Sequence, residues 1–148
     1  KIQKIIKHHE IDAKALEFEV TESALIENFN TTNVILSELN DLGCTVCIDD
    51  FGTGYSSLRY LRMLPVKTIK IDKIFIQGLP EDQKNISIIK AIVALANNLD
   101  MDLVTEGVEH HGQASFLTEL GCFIQQGYFY SEPLPPNEFK RRFLIKEL

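Results

Sequence analysis

Two adjacent aspartates, Asp49 and Asp50, follow the apolar, β-prone run at 46–48 and precede a turn rich in Gly, Thr and Ser. Two carboxylates side by side repel each other, and a bound cation usually offsets that repulsion. Carboxylate oxygens are the ligands that hard cations such as Mg²⁺ and Mn²⁺ prefer. The pattern therefore indicates a metal site at the end of a strand, with a simple turn of paired acids as the alternative.

The elements that must position these acids alternate between strand-like and helix-like segments. The strands are predicted at 16–20, 45–48, 68–71, 103–104 and 122–125. The helices are predicted at 31–42, 56–63, 83–98, 111–120 and 137–143, and the chain begins within a further helix-like run. Alternation of this kind predicts an α/β fold with a parallel sheet of right-handed βαβ units. In the longest helix, the side expected to be buried carries Ile88, Ile89, Ile92, Val93 and Ala96.

Polar side chains in or after every predicted strand help to choose between two parallel architectures. A (β/α)8 barrel brings all strand ends to one face, whereas a doubly wound sheet gathers ligands only at its switch point. The distribution therefore favours part of a barrel, with about five of the eight βα units. The polar residues are Glu19, Glu22, Asp49, Asp50, Lys70, Asp72, Glu106 and Gln126.

Lys70 is unusual because it lies in an apolar strand, between Ile69 and Ile71. Strand alternation places its side chain on the face opposite both isoleucines. On an edge strand that face could be solvent. In a barrel covered by helices it is the interior, where a lone lysine needs partners.

Composition narrows the class of protein. The chain has 148 residues, 45% of them hydrophobic, which suits one domain with a real core. Its net charge of -6 disfavours binding to a DNA or RNA polymer. No apolar run is long enough for a membrane span and no signal-peptide pattern occurs, although the parent protein could be anchored elsewhere.

The three cysteines, Cys44, Cys47 and Cys122, form no disulfide framework, which suggests a reducing compartment and a cytoplasmic location. Cys44 and Cys47 have a C-x-x-C spacing, but no second pair or nearby His completes a zinc set. We interpret all three as core residues.

Six motifs, in order along nearly the whole chain, resemble those of the EAL domain, the bacterial cyclic-di-GMP phosphodiesterase family. Together they are far more specific than any one of them alone. They are the segments 19–23 (EVTES), 49–58 (DDFGTGYSSL), 64–66 (LPV), 70–72 (KID), 105–109 (TEGVE), and 126–128 (QGY) with 133–135 (PLP).

The resemblance implies a TIM-like barrel and a site with two Mg²⁺ or Mn²⁺ ions. It implies metal ligation by Glu19, Asp49 and Asp50, with Lys70 at the attacking water or the scissile phosphate. Glu106 would hold metal-bound water, and Gln126 would contact water or substrate. Glu22 would anchor the loop 51–57, through which the family couples metal binding, substrate and dimerisation. Two-metal phosphodiester hydrolysis agrees with these residue types independently.

The implied activity is hydrolysis of cyclic di-GMP to linear di-GMP in bacterial signal transduction. The implied partners are cyclic di-GMP, a second copy bound through the loop after Asp50, and an upstream GGDEF or sensory domain.

The chain departs from the family pattern in one respect. The Glu-Ala-Leu motif, whose Glu is a metal ligand, and the Asn ligand of the next strand do not occur in these 148 residues. We therefore expect residues 1–148 to be the C-terminal part of one EAL domain, about three-fifths of a roughly 250-residue fold. We also expect little or no phosphodiesterase activity from this chain alone.

Two other functions compete with an active phosphodiesterase. A degenerate EAL domain could bind the nucleotide or a protein partner as a sensor, but the intact loop, Lys70 and Glu106 favour an active parent. A receiver-like phosphoacceptor domain is rejected, because its acid pair should follow the first strand and its Lys should lie farther along the chain.

Overall fold

The computed structural model describes residues 1–54 and 58–144, without the side chains of residues 26 and 27. Its sheet has five strands, and every neighbouring pair is parallel. The strand order follows the chain order, with no reversal. A doubly wound sheet requires a reversal, so the order confirms the barrel-type prediction. The strands are β1 (Glu17–Thr21), β2 (Thr45–Phe51), β3 (Thr68–Ile71), β4 (Asp102–Thr105) and β5 (Ile124–Gln125).

Helices connect successive strands, as βαβ units require. They are α1 (Ile2–His8), α2 (Glu22–Glu27), α3 (Phe29–Asp41), α4 (Leu58–Met63), α5 (Lys73–Ile76), α6 (Gln83–Asn98), α7 (His111–Glu119) and α8 (Pro136–Phe139). A 3-10 turn covers Ala13–Ala15, and a π-helical turn covers Lys140–Leu144. Among the helices of the described residues, none has the length and apolar character that crossing a membrane requires.

The bounds of β3 and α6 agree with the prediction, whereas β2 is longer than predicted. It continues to Phe51, so Asp49 and Asp50 lie within its last residues instead of after it. The short helices α2 and α5 were not predicted, because they have too few residues for a periodic pattern. Their N-caps are Thr21 and Asp72, whose side chains accept hydrogen bonds from the first turn. The predicted helix start at 56 lies outside the described residues.

The core lies between the helices and one face of the sheet. Buried residues on that face include Val46, Ile48, Ile69, Ile71 and Leu103. Alternation turns Cys47 and Lys70 to the opposite face, which is the inner face of a barrel. This confirms the predicted orientation of Lys70.

Helix α6 packs on the core through a slightly different stripe from the predicted one. Its buried residues are Ile86, Ile89, Ile92 and Ala96. Ile88 was wrongly placed in the buried stripe, since it is 38% exposed. Positions 86, 89, 92 and 96 follow the three- and four-residue spacing of one helical face, and Ile88 lies about 100° away from Ile89 around the axis.

All three cysteines are free and buried, as predicted. Burial raises the pKa of the Cys47 thiol to about 12, and the charges of Glu17 and Glu19 add to the shift. Burial also raises the pKa of Cys122 to about 11. Both thiols therefore stay protonated near neutral pH.

Replacing Ile89 by Ala should lower the free energy of unfolding by about 2–5 kcal/mol, because the side chain is fully buried and leaves a cavity. Ile88→Ala is the matched control on the same helix and should cost less than about 1 kcal/mol. Urea unfolding followed by circular dichroism measures both. Equal losses in the two variants would contradict the assignment of the buried face.

The raised thiol pKa values predict slow labelling. At pH 8 the native chain should react with a disulfide reagent at least about 100-fold more slowly than the denatured chain, because the thiolate is the reactive form. Mass spectrometry after labelling in buffer and in guanidinium identifies the modified residue. Labelling of Cys47 or Cys122 at the same rate in both conditions would contradict their burial.

Candidate functional site

A β-bulge at the end of β2 places the two aspartates. Ile48 pairs with Ile69 and Phe51 pairs with Ile71, so Asp49 and Asp50 together oppose the single residue Lys70. Asp50 adopts a left-handed backbone with φ of 54°, an arrangement that Asp tolerates better than most residues. In a regular strand, neighbouring side chains point to opposite faces. The bulge changes the direction of these side chains, so both carboxylates can lie on the inner face of the sheet.

Three carboxylates surround the ammonium group of Lys70. Its Nζ lies 2.6 Å from Glu19 Oε1, 2.6 Å from Glu106 Oε1 and 3.3 Å from Asp49 Oδ1. The first two contacts are short, charge-assisted pairs. The third is an ion-pair contact without hydrogen-bond alignment, because Asp49 Oδ1 is buried and has no hydrogen-bond partner among the described residues. The carboxyl ends of these strands thus meet at the Lys70 ammonium group.

The protonation of Lys70 follows from these neighbours. Burial of the side chain acts to lower its pKa, but the hydrogen bonds and charge of Glu106, the hydrogen bond of Glu19 and the charge of Asp49 outweigh that effect. The pKa is raised above its ordinary value. Lys70 is therefore a fixed positive charge at neutral pH and cannot take up a proton there.

Asp50 forms a second acidic group with Asp72. Burial raises the pKa of Asp50, and its hydrogen bond with Asp72 raises it further, followed by the charges of Asp49, Asp72 and Glu106. Asp72 follows Lys70 by two residues, so alternation turns both to the same face. Its Oδ1 also caps α5 by accepting from the Ile74 N–H at 2.7 Å. This pair joins the Lys70 cluster to the adjoining cleft.

Glu22 holds the backbone that follows β2. Its carboxylate is buried, and Oε2 accepts from the Gly52 N–H at 2.8 Å and the Gly54 N–H at 3.3 Å. A Cβ added at Gly54 would come within 2.9 Å of Glu22 Oε1, so glycine permits the close approach. Glu22 therefore accepts hydrogen bonds from two residues of the loop that it is predicted to anchor. Tyr55, Ser56 and Ser57 of the predicted loop lie outside the described residues.

A cleft of about 410 Å³ opens beside this cluster. Glu106 and Gln126, both singled out in the sequence, lie on its wall. Gln126 is fixed through its backbone, which donates to Thr105 O at 2.8 Å and accepts from the Val108 N–H at 3.0 Å. The complete lining is Asp50, Asp72, Lys73, Glu106, Gly107, Glu109, Gln126, Gly127 and Tyr128.

The predicted residues therefore form two connected groups. Glu19, Asp49 and Glu106 meet at Lys70, whereas Asp50 and Gln126 lie on the cleft. Lys73, Glu109 and Tyr128 line the cleft but were not selected from the sequence. Lys73 directly follows the motif at 70–72, and Glu109 and Tyr128 lie within the motifs at 105–109 and 126–128, so proximity to these motifs is the signal in the sequence.

The donor set has the chemistry that a divalent cation needs. Three carboxylates face one ammonium, which leaves an excess of negative charge. Among the residues that the structure describes, none donates a hydrogen bond to the buried Asp49 Oδ1. Oxygen donors of this type suit Mg²⁺ and Mn²⁺. In the described arrangement no three Asp, Glu, His or Cys side chains form a ready metal site. The Lys70 ammonium lies between the acids instead.

Curated proteins are similar to this chain in sequence. A cyclic di-GMP phosphodiesterase of Pseudomonas aeruginosa, NbdA, is 49% identical over 120 residues, which is 81% of this chain and 15% of the relative. MucR of the same organism, a bifunctional diguanylate cyclase/cyclic di-GMP phosphodiesterase, is 42% identical over 137 residues, 93% of this chain and 20% of the relative. The chain thus spans a fifth or less of either protein.

Solved structures share the fold. The PaMucR phosphodiesterase in complex with c-di-GMP superimposes with a TM-score of 0.89 at 41% identity, covering 93% of this chain and 56% of that one. A manganese/cy-diGMP complex of BlrP1 from Klebsiella pneumoniae gives a TM-score of 0.83 at 27% identity. The match covers 89% of this chain and 34% of the BlrP1 chain. Such structures have a TIM-barrel fold, to which the five parallel strands correspond.

The family model described as "EAL domain" matches residues 1–133, which is most of the chain. The match includes every residue of the Lys70 cluster and the cleft. The chain belongs to the EAL domain family.

Proposed function

We propose that this chain supplies much of a two-metal site that hydrolyses cyclic di-GMP to linear di-GMP. The observation that carries the proposal is the meeting of Glu19, Asp49 and Glu106 at the buried Lys70 ammonium. Phosphodiester hydrolysis requires an activated water and relief of negative charge on the phosphoryl oxygens. An acid cluster with one fixed cation, next to an open cleft, provides groups for both tasks.

Support for the substrate comes from the relatives. NbdA and MucR are named for cyclic di-GMP phosphodiesterase activity, and the PaMucR structure contains c-di-GMP. Support for a divalent cation comes from BlrP1, whose complexes contain calcium or manganese. Mg²⁺ or Mn²⁺ as the working pair is our proposal for this chain.

Glu19 and Asp49 would hold one cation, and Asp50 would hold the second, with Asp49 available to bridge. When bound, the two cations lower the pKa of the attacking water and offset charge on the phosphate. Burial and the hydrogen bond with Asp72 raise the pKa of Asp50, so a cation bound to Asp50 would compete with a proton for that carboxylate.

Lys70 acts as a charge and a hydrogen-bond donor. Its raised pKa keeps the ammonium protonated, which excludes a role as general base at neutral pH. In the site it donates to a phosphoryl oxygen or orients the attacking water, and its charge is fixed before substrate arrives. Preorganised charge of this kind stabilises a transition state without a reorganisation cost.

Glu106 accepts a hydrogen bond from the attacking water and directs its oxygen towards phosphorus. The 2.6 Å contact with Lys70 fixes the carboxylate. Attack forms one P–O bond and breaks the bond to the leaving ribose oxygen, which takes up a proton. Cleaving one of the two phosphodiester bonds in the ring yields the linear dinucleotide. Gln126 would contact substrate or water from the cleft wall.

The setting of the site is also a proposal. Residues 1–148 would form the C-terminal part of one EAL domain, which agrees with the 56% coverage of the PaMucR phosphodiesterase chain. A diguanylate cyclase unit, as named for MucR, or a sensory domain would precede it. We further propose a homodimer through the loop after Asp50 and a cytoplasmic location.

Replacing either Lys70 or Glu106 should abolish most of the hydrolysis of cyclic di-GMP. In the longest natural protein that carries this chain, Lys70→Met or Glu106→Gln should lower kcat for cyclic di-GMP by about 100- to 1,000-fold with Mg²⁺ or Mn²⁺. The controls are Lys67→Met and Glu81→Gln, whose side chains are exposed. Chromatography of the linear product measures the rates.

Wild-type turnover that survives both cluster substitutions would overturn the assigned roles. Tight binding of cyclic di-GMP without hydrolysis by the unmodified protein would instead support the sensor alternative. The 148-residue chain, assayed beside the longer protein, should be far less active.

Glu22→Ala should destabilise the segment after β2 because the Gly52 and Gly54 amides lose their acceptor. We expect a loss of about 1–3 kcal/mol in the free energy of unfolding. Hydrogen exchange of a peptide spanning 52–54 should rise with it. Glu38→Ala, at an exposed helical position, is the control. Unchanged exchange at 52–54 would show that Glu22 does not anchor this segment.

A further inference from the structure

Gln113 is a buried polar residue outside the cluster that the mechanism uses. Its side chain is 6% exposed, and the other buried polar or charged residues in the described part of the chain are Glu22, Lys70 and Thr105. Burying an amide is unfavourable unless its donor and acceptor are both satisfied. The hydrogen bonds of Gln113 therefore identify the segments that this buried side chain connects.

Both the oxygen and the nitrogen of the Gln113 side-chain amide form hydrogen bonds. Oε1 accepts from the Glu109 N–H at 2.8 Å and from the His110 N–H at 3.1 Å. Nε2 donates to Ile76 O at 3.1 Å. The bond from His110 is the ordinary capping box at the start of α7. A capping box does not account for the other two bonds, which tie the segment 106–110 to the end of α5.

The two segments that Gln113 joins both line the cleft. Segment 106–110 contributes Glu106 and Glu109, while Asp72 and Lys73 lie at the start of α5. They also touch directly, since a Cβ at Gly107 would overlap the Cβ of Lys73. Gly107 has φ of 71°, which glycine adopts without strain.

Helix α5 needs outside support because one turn is too short to be stable alone. Side-chain amides from two longer helices provide it. Asn85 Nδ2 on α6 donates to Ile74 O at 3.2 Å and to Gln77 O at 2.9 Å. Gln113 on α7 donates to the intervening carbonyl of Ile76, which also accepts from the Leu79 N–H at 3.3 Å. Within the described part of the chain, Gln113 is the one of these two residues that also accepts hydrogen bonds from segment 106–110, through the Glu109 and His110 amides.

We propose that Gln113 is a positioning residue, whose buried amide locks segment 106–110 to α5 and thereby fixes Glu106 against Lys70. The link to the cluster is short, since Glu106 lies three residues before Glu109 and 2.6 Å from Lys70 Nζ. The effect on catalysis rests on the proposed function, whereas the lock between the two segments does not. Displacing a reacting group by about 1 Å can lower a rate on the order of 100-fold.

The test compares Gln113→Leu, Asn85→Ala and the exposed control Gln83→Leu in the longest natural protein that carries this chain. Hydrogen exchange with fragment resolution follows the Glu109 and His110 amides and the peptide 73–77. Steady-state kinetics with cyclic di-GMP gives kcat and KM, under conditions in which circular dichroism shows each variant folded.

Gln113→Leu should raise exchange at Glu109 and His110 by about 10-fold or more. It should lower kcat by roughly 10- to 100-fold and leave KM within about twofold, because the defect lies in placing a reacting group. Asn85→Ala should raise exchange only in 73–77, and Gln83→Leu should change neither segment.

Unchanged exchange at Glu109 and His110 in folded Gln113→Leu would overturn the lock whatever the activity. Raised exchange with a wild-type kcat would overturn the link to Glu106. If the unmodified protein does not hydrolyse cyclic di-GMP, the proposed function is wrong. Hydrogen exchange at Glu109 and His110 still tests whether Gln113 holds segment 106–110 to α5. Should Gln113→Leu not fold, Gln113→Glu replaces it. That variant lacks the donor to Ile76 O, so unchanged exchange in 73–77 would overturn the lock.

Discussion

The site depends on one buried ammonium group. Removing a lysine charge from water costs several kcal/mol unless carboxylates lie within reach. Lys70, whose side chain is 8% exposed, meets this condition through Glu19 on β1, Asp49 on β2 and Glu106 after β4. Satisfying one charge therefore fixes the relative positions of four consecutive parts of the sheet. The same contacts keep Lys70 protonated and assemble the acids that a divalent cation requires.

The bulge in β2 is the second constraint. Without the extra residue between Ile48 and Phe51, Asp49 and Asp50 would point to opposite faces, and one of them would enter the core. With it, Asp49 contacts Lys70 while Asp50 bonds to Asp72 on the same face. The Gly52 and Gly54 amides then donate hydrogen bonds to Glu22, and these bonds stabilise the irregular end of the strand.

Much of this arrangement could be predicted from the sequence, for identifiable reasons. The αβ alternation gave the parallel sheet, and the position of Lys70 between two isoleucines gave its face, because both depend on local periodicity. The bulge could not be predicted, since one inserted residue leaves no mark on the pattern of a seven-residue strand. Helices α2 and α5 were missed because each is stabilised by a cap and by tertiary contacts instead of by its own length. Gln113 has no distinguishing signal in the sequence, because a glutamine near a helix start is common and its hydrogen-bond partner Ile76 lies 37 residues away.

The bulge turns both aspartates towards the Lys70 face, where we propose that they bind metal ions. Anomalous diffraction tests this proposal most directly, with crystals of the longest natural protein that carries this chain, soaked with Mn²⁺ and cyclic di-GMP. We expect two manganese peaks, one in contact with Glu19 and Asp49 and the other with Asp50, and Lys70 at the phosphate or its attacking water. Manganese in contact with neither aspartate, or Asp50 turned away from the Lys70 face, would contradict the account.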